Sequence, residues 1–346
     1  MANSCQPSAR DNPFLSEMPG FVSASFLHLQ HAFVHTANKK TKKGINMKLL
    51  VAIDFSASSN AVLNEISARR WPEGTEARVL SVVGSVAAYS GVSHIEPLGD
   101  VEIEAAKALV KSAVDRLTSR GLESYWVVTR GNPRTAIVDY AREWGPDFVF
   151  IGSHGHSGLT RFFLGSVAKT VLRHAPSSVG ILRPFNGDRL AKTGMKILVA
   201  TDGSKYSEAA VRSVAERPWP KGTKIKLVSV IEPSELVMDP LYGVAEVIGH
   251  ADKVKKELAQ EALSAAGRIL NSAGLKSAGV ALTGDAKARI IDEAKEWEAD
   301  LIVVGAQGRS GIDRILQGSV SEAVAIHAHC SVEVIRDRPL YGNHNS

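Results

Sequence analysis

The chain has 346 residues, of which 44% are hydrophobic and 22% charged, with two cysteines and a formal net charge of +5. That is the balance of a globular protein with room for two domains of ordinary size, and it excludes collagen-like, highly charged disordered and disulfide-framework chains. Asp, Lys, Arg or Gly interrupts every apolar stretch well before the roughly 18 residues a bilayer span needs, so no membrane partner is expected and the chain reads as soluble.

Residues 1–46 show neither a helical nor a strand period and read as a disordered N-terminal extension. They lack the basic start, apolar middle and small-residue cleavage site of a secretory signal. The basic run Lys39, Lys40, Lys42 and Lys43 is taken as a solvated linker, and nothing resembles a nucleic-acid motif. Cys5 and Cys330 lie at opposite ends of the chain, which fits a reducing cytoplasm.

From Lys48 the pattern alternates strand and helix. Lys48 to Ile53 is a short apolar strand, followed by a helix to about Arg70. Arg78 to Val83 is a second strand, Val101 to Arg120 a long helix stopped by Gly121, and Glu123 to Thr129 a third strand. Pro133 to Trp144 is a helix with proline in its first turn, where the missing N–H costs nothing. Phe148 to Ile151 is an apolar fourth strand, Ser166 to His174 a helix, and Val179 to Arg183 a fifth strand. The expected fold class is therefore α/β, two tandem Rossmann-like domains, each a five-stranded parallel sheet with helices on both faces.

The second domain is a repeat of the first. MKLLVAIDFSASS from Met47 returns as MKILVATDGSKYS from Met195, and Trp71, Pro72, Gly74 and Thr75 return as Trp219, Pro220, Gly222 and Thr223, all at an offset of 148. Farther on, GNPRTAIVDYAREWGPDFVFIGSHGHSG from Gly131 matches GDAKARIIDEAKEWEADLIVVGAQGRSG from Gly284 at an offset of 153, so the second copy has gained five residues, placed in the variable stretch after the second strand. The domains are expected at 47–186 and 195–336, with a C-terminal tail at 337–346.

After the fourth strand the first copy has Gly152 and Gly155, nine residues, then Gly165, Ser166 and Val167; the second has Gly305 and Gly308, the same spacing, then Gly318, Ser319 and Val320. Glycines permit positive φ and leave the backbone bare, so successive N–H groups can converge on an anion. The Gly-Ser-Val end opens a helix whose unpaired N–H groups and positive dipole end favour phosphate. The loop also follows the carboxyl end of a parallel strand, where open α/β sheets take ligands. Turn-making and helix-capping alone would explain one such loop, less readily two at identical spacing.

On these residues the chain resembles the universal stress protein family, whose ATP-binding members carry Gly, two residues, Gly, nine residues, Gly, then Ser or Thr. The resemblance covers Met47 to about Arg336 and implies an adenine nucleotide α-hydrolase-like fold with ATP as cofactor. It implies that Asp54 and Asp202, after the first strand of each copy, meet the nucleoside end, that the backbone at Val82 and Val230 meets adenine, and that the glycines with the following Ser and Val hold ribose and phosphates. From the residues alone, Asp54 and Asp202 could instead cap the next helix. A strand-end carboxylate together with phosphates could also hold Mg²⁺. The resemblance further implies dimer contact through the last strand, so Val179 to Arg183 and Val332 to Arg336 are expected to pair within one chain as a pseudo-dimer, with homodimerisation left open.

The copies are not equal: Ser153 and His154 stand where the second has Ala306 and Gln307, and Arg309 could pair with a phosphate there. His154 and His156 show no orienting partner for acid–base work, and neither a Walker lysine nor a serine nucleophile elbow is present, so the expectation is binding with at most slow hydrolysis and no catalytic residue. His327, His329 and Cys330 are set aside as a metal site because the first copy keeps only His174, and Cys330 is read as a small buried side chain. Trp71 and Trp219 are read as covers for the core. The function these features support is an ATP-binding stress-response or signalling protein; a scaffold that keeps the loop without ATP and a slow nucleotide hydrolase are the rivals.

Overall fold

The computed structural model describes residues 33–34, 47–84, 96–154, 164–184, 194–233, 244–308 and 318–337. The first half contains β1 (Phe33–Val34), β2 (Lys48–Ala52), α1 (Ala57–Ala68), β3 (Glu76–Val83), α2 (Glu96–Thr118), β4 (Glu123–Arg130), α3 (Pro133–Trp144), β5 (Phe148–Gly152), α4 (Ser166–His174) and β6 (Ser178–Leu182). The second contains β7 (Lys196–Ala200), α5 (Lys205–Ala215), β8 (Lys224–Ile231), α6 (Val244–Ser272), β9 (Ser277–Thr283), α7 (Ala286–Glu296), β10 (Leu301–Gly305), α8 (Ser319–His327) and β11 (Ser331–Ile335).

Local chemistry explains the boundaries. Asn132 accepts a hydrogen bond from the Arg134 N–H at 3.0 Å, Pro133 occupies the first helical position, and Gly145 closes α3 in the left-handed conformation at φ 64°. Asp285 repeats the cap on α7, accepting from Ala288 N at 2.9 Å. The helix α2 begins at Glu96, five residues before the Val101 start expected from its apolar period, because its first turn carries charge and proline and no apolar stripe. The repeat offset is still 148 at the ends of β3 and β8 and has reached 153 where Leu122 N and Leu275 N bond back to Leu117 O and Leu270 O, so the five extra residues enter between those points.

Parallel pairing gives each half the order β4-β3-β2-β5-β6 and β9-β8-β7-β10-β11. Alternate strand residues serve opposite faces, as a period of two requires. Leu49 and Val51 join a core with Val62 and Ile66 of α1 and Val110 and Leu117 of α2, while Leu50 and Ala52 join one with Ile137 of α3 and Val171 of α4. The second half repeats the arrangement, with α5 and α6 on the first face and α7 and α8 on the other. Trp71 and Trp219 pack against the first core and donate their indole N–H to Ile66 O at 3.0 Å and Val214 O at 2.7 Å, the covering role expected of them.

The two sheets fuse into one of eleven strands, because β6 and β11 pair antiparallel with Val179 opposite Val334, Gly180 opposite Glu333 and Ile181 opposite Val332. The last strands thus pair within the chain, as expected. Arginines at their ends reach across reciprocally. Arg183 donates to the Ala325 and Ile326 carbonyls at 2.7 and 3.1 Å, and Arg336 to those of Leu172 and Arg173 at 3.3 and 3.4 Å, so each half supplies the cation that closes the C-terminal turn of a helix in the other. Of the first 46 residues, read as disordered, Phe33 and Val34 are described, as an antiparallel edge strand beside Val128 and Val127 of β4.

Candidate functional site

In each half the order reverses beside the first repeat strand: β2 has β3 on one side and β5 on the other, and β7 has β8 and β10. The carboxyl ends of these central strands flank the crevice where doubly wound sheets hold ligands. Topology alone therefore brings together Asp54 after β2, Val82 near the end of β3 and Gly152 at the end of β5, and likewise Asp202, Val230 and Gly305.

The loop between Gly152 and α4 is closed at its base. Ser153 N donates to Leu182 O of β6 at 3.1 Å, and Gly165 N donates to Ser153 O at 2.8 Å. In the second half Ala306 N donates to Ile335 O at 2.7 Å and Gly318 N to Ala306 O at 2.7 Å. Both loops thus leave the sheet and return to the same point, where the next helix begins. Gly165 and Gly318 are the N-caps of α4 and α8, and neither helix has a side-chain cap, so their first-turn N–H groups are available to an anion. Ser166 and Ser319 are exposed, while the Val167 and Val320 side chains rest on the core, so what these valines can offer a ligand is backbone. The same holds for Val82 and Val230.

None of the described loop glycines has a positive φ, and at Gly152, Gly305, Gly308 and Gly318 a Cβ would crowd a neighbour. Gly165 and Gly318 have φ of −57° and −63°, and Gly152, Gly305 and Gly308 are also outside the positive range. A Cβ on Gly152 would stand 2.7 Å from Ser58 Cβ, and one on Gly305 would stand 2.6 Å from the Tyr206 carbonyl, so the first glycine of each motif lets the helix after the central strand approach. Gly308 differs: its Cβ would stand 2.9 Å from Asp202 Oδ2. The carboxylate and the second glycine of the loop are therefore neighbours. Gly155, His156 and Arg309 lie outside the described residues.

Asp54 braces its own turn as well as facing the crevice. Its Oδ1 accepts from Ser56 N at 3.0 Å, from Ser59 Oγ at 2.8 Å and from Ser56 Oγ, so one oxygen ties down the turn before α1, whose N-cap is Ser56 and not Asp54. Asp202 Oδ1 accepts from Ser204 N at 3.0 Å in the same manner.

One basic residue at the site escaped the sequence reading. Arg134, exposed on α3, donates from Nη2 to Ser166 Oγ at 3.0 Å and so sets a guanidinium at the N-terminus of α4. Lys287 holds the repeat position in the second half. The only available signal was a cation at the same place in both copies, two residues past the cap. His154 Nδ1 lies 3.0 Å from Ser153 Oγ, a side chain that is 1% exposed. Burial pulls the pKa of His329 down, and Cys330 is buried. Among the described residues no three His, Cys, Asp or Glu side chains gather as a metal site, and no helix is long and apolar enough to cross a membrane.

The model of the universal stress protein family matches residues 46–183 and again 195–336. The chain belongs to the universal stress protein family. Among curated relatives, a universal stress protein of Methanocaldococcus jannaschii is 34% identical over 151 residues, 44% of this chain and 85% of that one. A Staphylococcus aureus protein described as a putative universal stress protein is 30% identical over 150 residues, 43% of this chain and 87% of its own. These universal stress proteins match a single repeat. Across both halves the fold is shared with a universal stress protein from Archaeoglobus fulgidus, at a TM-score of 0.58 and 20% identity, covering 84% of this chain and 96% of that one. A Pseudomonas aeruginosa structure gives 0.54 and 14%, covering 85% and 94%.

Proposed function

We infer that this universal stress protein binds ATP in the crevice of each half, and acts in stress response or signalling as a single-chain pair of nucleotide-binding domains. The observation that carries this reading is the closed loop whose far end delivers an uncapped helix N-terminus beside a strand-end carboxylate: Gly165 and Gly318 at the helix starts, Gly308 against Asp202. Bare N–H groups with a positive dipole end suit a polyphosphate, and the carboxylate suits the hydroxyls or amino group of a nucleoside. Arg134 adds a cation at the first site.

The groups fit Mg²⁺ arriving with the phosphates, a hard cation that keeps most of its waters and takes one or two carboxylates. The chemistry we assign is binding with at most slow hydrolysis. Ser153 Oγ does lie 3.0 Å from His154 Nδ1, but Ser153 is buried, which keeps that hydroxyl from a ligand in the crevice. The test is displacement: a fluorescent ATP analogue is bound to protein stripped of nucleotide, and unlabelled ATP, GTP and ribose 5-phosphate compete. ATP should displace at the lowest concentration. An analogue that never binds would leave the protein-binding scaffold as the better account.

A further inference from the structure

At the centre of the joint between the halves lies a buried charge cluster whose parts come unequally from the two repeats. Glu333 on β11 is 0% exposed. It accepts from Arg69 Nη1 at one carboxylate oxygen and from Arg217 Nη2 at the other, the latter at 2.7 Å. Arg69 and Arg217 occupy the same repeat position, just before the Trp-Pro turn, and both are buried. They compete for one carboxylate because the repeat position of Glu333 in the first half is Gly180, directly opposite it in the β6–β11 ladder. Burial opposes the charge on Glu333, yet the two guanidiniums hold its pKa down to about 2.

The flanking residues divide in the same way. Gly180 is glycine because the Phe150 ring covers it: a Cβ there would stand 2.3 Å from the ring. Phe148 and Phe150 stack at 5.3 Å, with Arg217 over the first at 5.1 Å and Arg69 over the second at 5.8 Å. Their counterparts in the second half are Leu301 and Val303, which offer no aromatic face. Arg69 also pairs with Glu65 at 2.9 Å, where the second half has Ser213. The second half therefore supplies the protruding carboxylate, and the first supplies the glycine recess and the phenylalanine pair that both cations meet, Arg217 also lying over Trp219 of its own half at 4.8 Å.

We propose that this joint is a heterotypic docking surface: β6 accepts β11 of a second-repeat domain and rejects its own kind, so the halves pair with each other and not like with like between chains. Two second-repeat faces would set Glu333 against Glu333 in a buried interface without the phenylalanine pair, and like charges directly opposite in a ladder repel. Two first-repeat faces would set glycine against glycine under their Phe150 rings and leave each Arg69 with Glu65 alone, without the Glu333 carboxylate. Knob and recess are thus specificity elements of a pairing that in a symmetric dimer would need only the strand edge.

The test is hydrogen exchange on the full chain, read at β6 and β11, with β2 and β7 as internal controls for folding of each half. A half-exchanged variant, Phe150→Val with Gly180→Glu, puts the carboxylate on both sides. A fully exchanged variant adds Val303→Phe and Glu333→Gly, which moves the knob and the ring that covers the recess to opposite halves. The half-exchanged chain should lose protection at Val179–Ile181 and Val332–Val334 by at least about a hundred-fold, and the fully exchanged chain should recover most of it. Wild-type protection in the half-exchanged chain overturns the proposal, as does equal loss in both variants while β2 and β7 stay protected. If the controls fail in either variant, Glu333→Gln decides: the proposal expects about ten-fold or greater loss at the joint, and unchanged protection overturns it.

Discussion

Replacing each glycine of the second loop by alanine should separate its architectural part from its ligand-binding part. In Gly305→Ala the new Cβ stands 2.6 Å from the Tyr206 carbonyl carbon and oxygen and 2.8 Å from Ser207 N. Carbon contacts are comfortable at about 3.5–4.0 Å, so α5 must move by roughly 1 Å against the strand. The obstacle is helix backbone inside a packed layer, which cannot rotate away, and overpacking of this kind costs about 1–3 kcal/mol. In Gly308→Ala the Cβ stands 2.9 Å from Asp202 Oδ2, a side-chain tip and not backbone. That change should cost less than Gly305→Ala, about 1 kcal/mol or under because a side chain and not packed helix backbone must give, while displacing a carboxylate assigned to the ligand. Urea denaturation followed by circular dichroism should lower the midpoint of Gly305→Ala with its slope unchanged and leave Gly308→Ala nearer wild type. ATP affinity should fall in Gly308→Ala. A Gly305→Ala protein as stable as wild type, or a Gly308→Ala protein equally destabilised, would refute the division of roles.

Other outcomes follow from single side chains. Arg134→Ala should weaken nucleotide at the first site by about 1.5–3 kcal/mol, the worth of a hydrogen bond to a charged group, and replacing Lys287 should affect the second site separately; a first-site affinity unchanged from wild type in Arg134→Ala would contradict the assignment. Glu333→Gln should destabilise the chain by about 3 kcal/mol or more by leaving buried guanidiniums without their carboxylate. Because the folded pKa of Glu333 lies near 2, below the unfolded value of about 4.3, its stabilisation is present above that unfolded value and is lost as pH falls toward 2. The acid limb of the stability curve should therefore flatten in Glu333→Gln, and an unchanged limb would count against the linkage. Asp147 has the opposite sign. Burial, only partly offset by the hydrogen bond from Lys48 N at 2.7 Å, raises its pKa to about 6, so its contribution is full below about 3.9 and is lost as pH rises through 6. Asp147→Asn keeps an acceptor for Lys48 N and should remove that loss; a curve between pH 4 and 7 identical to wild type would contradict it.

The alternation of strands and helices and the two copies were legible because each rests on local pattern repeated twice, whereas the pairing of the last strands was implied only by the family resemblance. Met47 and Met195, the Trp-Pro turns and the Gly-Ser-Val helix starts carry the same physics at fixed offsets. The sequence was less informative where a residue acts through a distant partner. The glycine spacing suggested positive φ, yet Gly152 and Gly305 are required by helices that follow another strand, a contact separated by nearly a hundred residues in each copy. Arg134 meets Ser166 only because α3 and α4 lie side by side on one face. The cluster of Arg69, Arg217 and Glu333 was invisible for a further reason: its logic lies in a difference between the copies, Gly180 against Glu333, and a search for repeats attends to what agrees.

The most direct test of the central claim is calorimetric titration of ATP with Mg²⁺ into wild-type protein freed of nucleotide, beside Gly308→Ala. Nucleotide binding in the loops predicts saturable heat with wild type and a weakened second site in the variant. The absence of saturable heat with a folded, nucleotide-free wild type would contradict it.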